Sequence, residues 1–294
     1  MKIAVLQQYP AHAQGDSRAC TLKQLKEKSQ CVVNRCFELI EEAANCGAEF
    51  AVTMETVNAY LSLGDTRFRY SDTLDGEIVK RFSDAAKRYN MHIVAGLALE
   101  IEGDVYNCAV LFDDEGNIIG VHRKVHLPAG EELHFSHGDR FEVFKTRFGN
   151  VGMLVCWDLQ FPEAARELAL GGADLIACPT YGWENIYGLS RAYENSVYIA
   201  AGMCTYRDSK RVNELSSIVD NMGNLLAIVQ CGREGIAVAD IDIRTEPAPQ
   251  YGSQEFYHSH SMRKTRFSQR RPQTYQLINK LNNDTPLYGR YFDN

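Results

Sequence analysis

Three short stretches carry the side chains best suited to chemistry. An apolar run at 151–155 breaks into Cys156-Trp157-Asp158, and the helix-start signals Pro162-Glu163-Ala164-Ala165-Arg166 follow. A cysteine in such a strand-to-helix turn meets outward-pointing backbone N–H groups, which stabilise a thiolate or an oxyanion. Glu55 directly follows a second apolar run, 50–54, and a carboxylate beside a thiol serves as its general base. The third stretch, Val121-His122-Arg123-Lys124-Val125-His126-Leu127-Pro128-Ala129-Gly130-Glu131, leaves a strand. Lys124 in it suits an oxyanion developing on a substrate and lowers the pKa of nearby acids. Taken singly, each residue has a plainer role: a buried core thiol, a helix cap, a solvated edge lysine.

What would unite them is a fold that brings the strand ends together. Apolar runs alternate with helix-period segments. The first half reads as a strand at 2–6, an amphipathic helix up to residue 45 ended by Gly47, a strand at 48–54, a helix at 76–90, and strands at 92–99, 105–112 and 118–123. The second half repeats the pattern: a strand at 151–155, a helix at 162–170, a strand at 173–178, a helical stretch to 195, and strands at 197–204, 216–219 and 225–229. Local echoes tie the halves. Cys46-Gly47-Ala48-Glu49-Phe50 matches Gly171-Gly172-Ala173-Asp174-Leu175, and the turn Asp113-Asp114-Glu115-Gly116-Asn117 matches Asp220-Asn221-Met222-Gly223-Asn224. Near-continuously apolar strands need cover on both faces. Two sheets packed face to face, each with helices outside, meet that need, which predicts an α/β fold of four layers, α-β-β-α, with an internal pseudo-duplication. A single doubly wound sheet is the alternative, but its phosphate-binding glycine fingerprints are missing.

The chain has 294 residues with 31 Lys plus Arg, 38 Asp plus Glu and 45% hydrophobic residues, enough to bury a core without disulfides or metals. A net charge of −7 argues against a nucleic-acid footprint, and the longest near-apolar run, 197–204, is far too short to span a bilayer. Nine cysteines without a C-x-x-C pair point to a reducing compartment, most of them as small core residues. A cytoplasmic protein is expected. Residues 1–244 form the expected domain. Residues 245–294, rich in Pro, Tyr and Arg, read as an extended arm at an oligomer interface, and the basic cluster Arg263-Lys264-Thr265-Arg266-Phe267 within them is better explained by that packing than by nucleic acid.

Taken in this order and spacing, Glu55, Arg123-Lys124-Val125-His126-Leu127-Pro128 and Cys156-Trp157-Asp158 with Phe161-Pro162-Glu163-Ala164-Ala165-Arg166 resemble the Glu-Lys-Cys carbon–nitrogen hydrolases of the nitrilase superfamily. The resemblance spans roughly residues 2 to 242. It implies the four-layer fold, no metal or organic cofactor, and a homo-oligomer of dimer size or larger. It implies Cys156 as nucleophile, Glu55 as general base and then acid, and Lys124 as stabiliser of the tetrahedral intermediate, with the Trp157 backbone N–H completing the oxyanion hole. Glu131 matches a second glutamate that positions substrate or the hydrolytic water. One departure is Met54, where the family usually has proline.

Cys-Trp-Asp, in place of the Cys-Trp-Glu usual in true nitrilases, is similar to the amidase and N-carbamoyl amidohydrolase side, nearest to N-carbamoylputrescine amidases. The implied substrate is a small amide or ureido compound. Tyr60, Tyr181, Trp183 and Glu184 lie in loops after strands and are candidates to line its pocket; Glu131 and Glu184 would suit a remote cationic amine. The alternatives are a nitrilase or acyltransferase of the same superfamily and a noncatalytic scaffold. A metal enzyme built on His122, His126, His134 and His137 has no H-E-x-x-H spacing behind it.

Overall fold

The computed structural model describes residues 1–10, 20–59, 71–182, 184–207, 209–246, 261–280 and 284, with residue 22 by its backbone alone. The chain divides into two compact units, Met1–Thr245 and Glu246–Asn294. In chain order the first half of the larger unit holds β1 (Lys2–Gln8), α1 (Leu22–Asn45), β2 (Phe50–Val52), β3 (Asp72–Thr73), α2 (Glu77–Tyr89), β4 (His92–Ile101), β5 (Asp104–Phe112) and β6 (Ile118–Arg123). The second half holds β7 (Val143–Lys145), β8 (Asn150–Met153), α3 (Pro162–Leu170), β9 (Leu175–Thr180), α4 (Asn185–Asn195), β10 (Tyr198–Cys204), β11 (Ser217–Val219), β12 (Leu225–Ile228) and β13 (Gly235–Asp240).

Local chemistry sets the helix ends. Thr21 caps α1 with a reciprocal box, its hydroxyl accepting from Gln24 N at 3.3 Å while Gln24 Oε1 accepts from Thr21 N at 2.8 Å. In α2 the Asp72 carboxylate plays this part from outside the helix, accepting from Ile78 N at 2.7 Å and Val79 N at 3.1 Å. Asn90, left-handed at φ 51°, then ends it.

Successive strand residues face different layers, which is the physical content of the four-layer sandwich. Ala4, Leu6, Ala51, Ile93 and Leu97 join Val33, Cys36 and Leu39 of α1 and Phe82 of α2 in an outer core. Their neighbours Ile3, Val5, Phe50, Val52 and Val94 turn the other way and meet Val151, Met153, Leu175, Ala177 and Ala200 of the second half. That shared layer is why these strands carry no polar alternation.

Two separate sheets are expected from the sequence, yet the hydrogen-bonded ladder is continuous, in the order β6-β5-β4-β2-β1-β10-β9-β8-β7. The halves join where the end of β1 runs parallel to β10, with Gln7 opposite Met203 and Gln8 opposite Cys204. Buried Gln7 bridges the junction: its Nε2 donates to Gln230 O at 3.0 Å and Arg233 O at 2.9 Å, and its Oε1 accepts from Ser216 N at 2.9 Å. β13, which the sequence reading does not separate as a strand, crosses back to lie antiparallel on β1 from Lys2↔Asp240 to Gln7↔Gly235.

The two echoed turns are built alike. Asp113 Oδ1 accepts from Glu115 N and Asn117 N, and Asp220 Oδ1 from Met222 N and Asn224 N, each with a left-handed glycine, Gly116 or Gly223. The cysteines depart from expectation. Of nine, Cys36, Cys108, Cys178 and Cys204 are buried, whereas Cys31 and Cys46 are exposed on the outer surface of α1 and at its end. Among the described residues no helix is long and apolar enough to cross a membrane. In the smaller unit, where an extended arm is expected, Ser261 caps a short helix, α5 (Met262–Ser268), its hydroxyl accepting from Lys264 N at 3.1 Å.

Candidate active site

Glu55 stands just past β2, where the chain is pressed against β4. Thr53 N donates to Val94 O at 3.0 Å, and Gly96 N donates to the Thr53 hydroxyl at 3.0 Å. Any side chain at Gly96 would meet Met54 O at 2.3 Å and the Glu55 Cα at 2.7 Å, so the glycine is what lets β4 lie this close. The Glu55 side chain is 2% exposed. Its Oε1 accepts from Lys124 Nζ at 2.8 Å and Asn107 Nδ2 at 2.6 Å. Its Oε2 is buried with no hydrogen-bond partner among the described residues.

Lys124 follows β6, its backbone fixed by donation to Asn107 O at 2.8 Å and acceptance from Gly138 N at 2.7 Å. It is completely buried, unlike the solvated edge residue a lysine in that position usually is. Its ammonium bridges Glu55 and Glu131, the latter at 2.7 Å. Glu131 opens a single 3-10 turn, Glu131–Leu133.

Cys156 enters from the second half of the larger unit. Beyond β8 the chain turns into a 3-10 helix, Cys156–Gln160, with Cys156 at φ 44°. This left-handed conformation is costly for a residue with a Cβ and is a feature of functional sites. The thiol faces Gly182 O at 3.9 Å. Asp158, two residues on, is fully buried and accepts five hydrogen bonds: from His122 Nε2, His126 Nδ1 and His126 N at 2.9 Å each, Val155 N at 3.1 Å and Val125 N at 3.2 Å. It thereby ties the 122–126 segment, with Lys124 in its middle, to the Cys156 turn.

A match to the carbon–nitrogen hydrolase family covers residues 4–250. The chain belongs to that family. This carbon–nitrogen hydrolase is 32% identical to an omega-amidase of Xenopus tropicalis over 234 residues, 72% of this chain and 83% of the relative. It is 37% identical to a citrullinase of Francisella tularensis over a shorter 151 residues, 48% of this chain and 52% of the relative. The fold is shared with the crystal structure of a carbon–nitrogen hydrolase from Helicobacter pylori, at a TM-score of 0.71 and 22% identity, over 96% of this chain and 98% of the other.

The electrostatics of the hydrolase's site follow from three charged groups and a half-buried thiol. Burial, then the Glu55 carboxylate, pushes the Cys156 thiol up to about 12, against the opposing pull of Lys124, the Thr180 hydroxyl and the Tyr181 backbone amide. The resting group is therefore a thiol. Burial works against the Lys124 ammonium, but Glu55, Cys156 and Glu131 outweigh it and hold the group charged. Burial and the neighbouring Glu55 raise Glu131 to about 7 in spite of Lys124.

A group that titrates there must appear in the pH dependence of activity. Glu131→Gln is expected to remove an ionisation near pH 7 from the kcat/KM profile of the hydrolase. Stability has a definite sign as well. The folded state holds the Glu131 proton more tightly than the unfolded chain does, so this group's contribution to stability falls as pH rises from about 4.5 to about 7. The variant should lack that slope in urea titrations. A profile unchanged by the substitution would contradict the assignment.

Glu55, Lys124 and Glu131 thus share one hydrogen-bonded cluster, and the Cys156 thiol lies within the field of Glu55 and Lys124. Glu131 meets Lys124 through its Oε2. Tyr181 lies half-buried directly after β9, and its carbonyl accepts from the Cys204 thiol. Trp157 is 38% exposed, and Glu184 is an exposed residue just before α4 whose side chain makes no capping bond. Tyr60 and Trp183 lie outside the described residues. Of the four histidines weighed as metal ligands, His122 and His126 bond Asp158 and His137 Nδ1 bonds Val125 O at 2.8 Å, while His134 is buried with its ring beside that of Phe135.

The sequence reading misses Asn107 and Thr180. A signal for each is present. Asn107 is the one amide in the apolar run of β5. Thr180 occupies the position that the duplicated motif pairs with Glu55, since Phe50 matches Leu175, and in the structure Glu55 N donates to Thr180 O at 3.4 Å.

Proposed function

We propose that the chain is a cysteine-dependent hydrolase of a non-peptide carbon–nitrogen bond, acting on an amide or ureido group and releasing ammonia through a covalent thioester-type intermediate. An N-carbamoyl amine, as for the N-carbamoylputrescine amidase branch, is the candidate substrate. The observation that carries the reading is the buried Glu55 carboxylate, whose Oε1 is held by Lys124 and Asn107 while its Oε2 stays without a partner among the described residues, within the field of the Cys156 thiol. The omega-amidase and citrullinase names of its relatives support an amide or ureido group.

In this mechanism Glu55 Oε2 takes the thiol proton as sulfur attacks the carbonyl carbon. The oxyanion forms beside the Lys124 ammonium and the backbone N–H of Trp157, which stands in the first turn of its helix, where no intrahelical acceptor exists. The C–N bond breaks as Glu55 returns the proton to the leaving nitrogen, and ammonia departs. Water, deprotonated by the same carboxylate, then attacks the thioester, the C–S bond breaks, and the thiol is restored. From a ureido substrate the released carbamate decays to amine and carbon dioxide.

The test is ammonia release from N-carbamoyl amines, N-carbamoyl amino acids, simple amides and nitriles. Turnover of a ureido or amide class is expected. Release from nitriles alone would move the chain to the nitrilase reading, and acyl transfer to an added amine in place of hydrolysis would move it to the acyltransferases.

A further inference from the structure

Buried hydroxyls are normally hydrogen-bonded, and one that is not calls for a reason. β9 ends on such a group. Thr180 is fully buried, and its Oγ1 has no hydrogen-bond partner among the described residues. Thr53, the buried threonine just past β2, shows the ordinary case: its hydroxyl donates to Met54 O at 2.9 Å and accepts from Gly96 N at 3.0 Å. What Thr180 does for the fold it does through its backbone, which pairs with Met203 of β10 and whose carbonyl accepts from Glu55 N at 3.4 Å. Neither duty uses the hydroxyl.

The segment that Thr180 opens lies against the nucleophile. Two residues on, Gly182 O faces the Cys156 sulfur at 3.9 Å. Between them Tyr181 is anchored by the Cys204 thiol, which donates to its carbonyl. Burial and then Glu55 push the Cys156 thiol up to about 12, while Lys124, the Thr180 hydroxyl and the Tyr181 backbone N–H pull it down.

We infer that Thr180 is a further catalytic residue, its hydroxyl donating a hydrogen bond to the Cys156 sulfur whenever that sulfur carries negative charge. The inference rests on the hydrolase reading for the steps in which it does. A thiol sulfur is a weak acceptor, so at rest the hydroxyl stands unpaired. A hydrogen bond to an ionised acceptor is roughly twice as strong as one between neutral groups. The bond therefore forms as Glu55 Oε2 takes the thiol proton and a sulfur electron pair moves to the carbonyl carbon. It forms again when the C–S bond breaks in the second half of the reaction and the pair returns to sulfur before the proton does. The hydroxyl keeps its own proton throughout. An interaction made with the charged sulfur and not with the resting thiol lowers the barrier without tightening the ground state. Thr180 also stands where the internal duplication places Glu55 in the other half, Phe50 matching Leu175. At matching positions the two halves thus supply an acceptor for the thiol's proton and a donor for the charge it leaves.

Thr180→Val keeps the shape of the side chain and removes the hydroxyl. Because that hydroxyl is unpaired, urea unfolding should find the variant at least as stable as wild type, whereas losing a bonded buried hydroxyl destabilises. Its kcat/KM for ammonia release should nevertheless fall about tenfold or more, the worth of one hydrogen bond to a charged group, and Thr180→Ser should recover most of that loss. A second readout needs no turnover. Alkylation of Cys156 by iodoacetamide at about pH 8, followed by mass spectrometry of the peptide that carries it, should slow by a similar factor in Thr180→Val, since the thiolate is the reacting form. Unchanged alkylation would overturn the inference, whatever the wild type hydrolyses. So would a loss of turnover that tracks a loss of stability and is not recovered by serine. Slower alkylation in the valine variant of a protein that hydrolyses nothing would reject the hydrolase reading and leave the donor in place.

Discussion

Cys156→Ala is expected to lower kcat/KM for ammonia release by at least about 10⁴-fold while leaving the protein as stable as before. No other thiol is placed to substitute. Cys178 and Cys204 are fully buried, and burial holds both thiols well above the ordinary cysteine range. Stability should survive because the thiol gives the fold little. Its contact with Gly182 O is 3.9 Å long, and alanine keeps the backbone at φ 44° without adding bulk. The thiol is also protonated at pH 7 in both folded and unfolded chains, so no proton linkage is lost. The measurement is steady-state kinetics beside a thermal melt of the same preparation. Residual turnover within about a hundredfold of wild type would remove Cys156 from the chemistry.

The second large effect belongs to Asp158. Asp158→Ala should cost about 3–5 kcal/mol in urea unfolding at pH 7, the range for removing one partner from a buried charged network. It leaves His122, His126 and three backbone amides without their acceptor. Burial alone would raise this carboxyl, but the hydrogen bonds from His122 and His126 hold it well below the usual carboxylate range. The sign follows. The stabilisation is full above the unfolded value near 4 and drains away as pH falls towards the folded one. Wild type should therefore lose stability below about pH 4 more steeply than Asp158→Asn does. Activity should fall too, because the segment carrying Lys124 is pinned to the Cys156 turn through this residue. A loss under about 1 kcal/mol in the alanine variant would mean that the network is carried elsewhere.

Elements whose partners are local were the easiest to read from the sequence. β6 and α3 have the bounds read from the sequence, 118–123 and 162–170, because a turn of Asp and Gly or a proline marks their ends. The strands at 48–54 and 151–155 shrink to Phe50–Val52 and Asn150–Met153, since their last residues leave the ladder to carry Glu55 and Cys156 into the site. β13 and the β1–β10 junction were illegible because pairing between residues some 200 positions apart leaves no periodic trace. In the site, residue type and position after a strand left Glu55, Lys124 and Cys156 as candidates with plainer readings beside them, and it was their order and spacing together that carried the family resemblance. The work of Asp158 was hidden because an acid early in a helix reads as a cap, and only the packed structure shows two histidines turned onto it.

The crossing of β13 onto β1 has a bearing on biosynthesis. The edge of β1 that β13 covers is apolar and unpaired until a segment more than 200 residues downstream has been made. At about 5–20 residues per second, that interval is roughly 10–50 s, during which the nascent chain displays an open strand that invites pairing with other chains. The site itself spans both halves, so no truncated product of translation would carry a finished one. The ribosome-bound chain thus keeps an open strand edge and an unfinished site until β13 has been made.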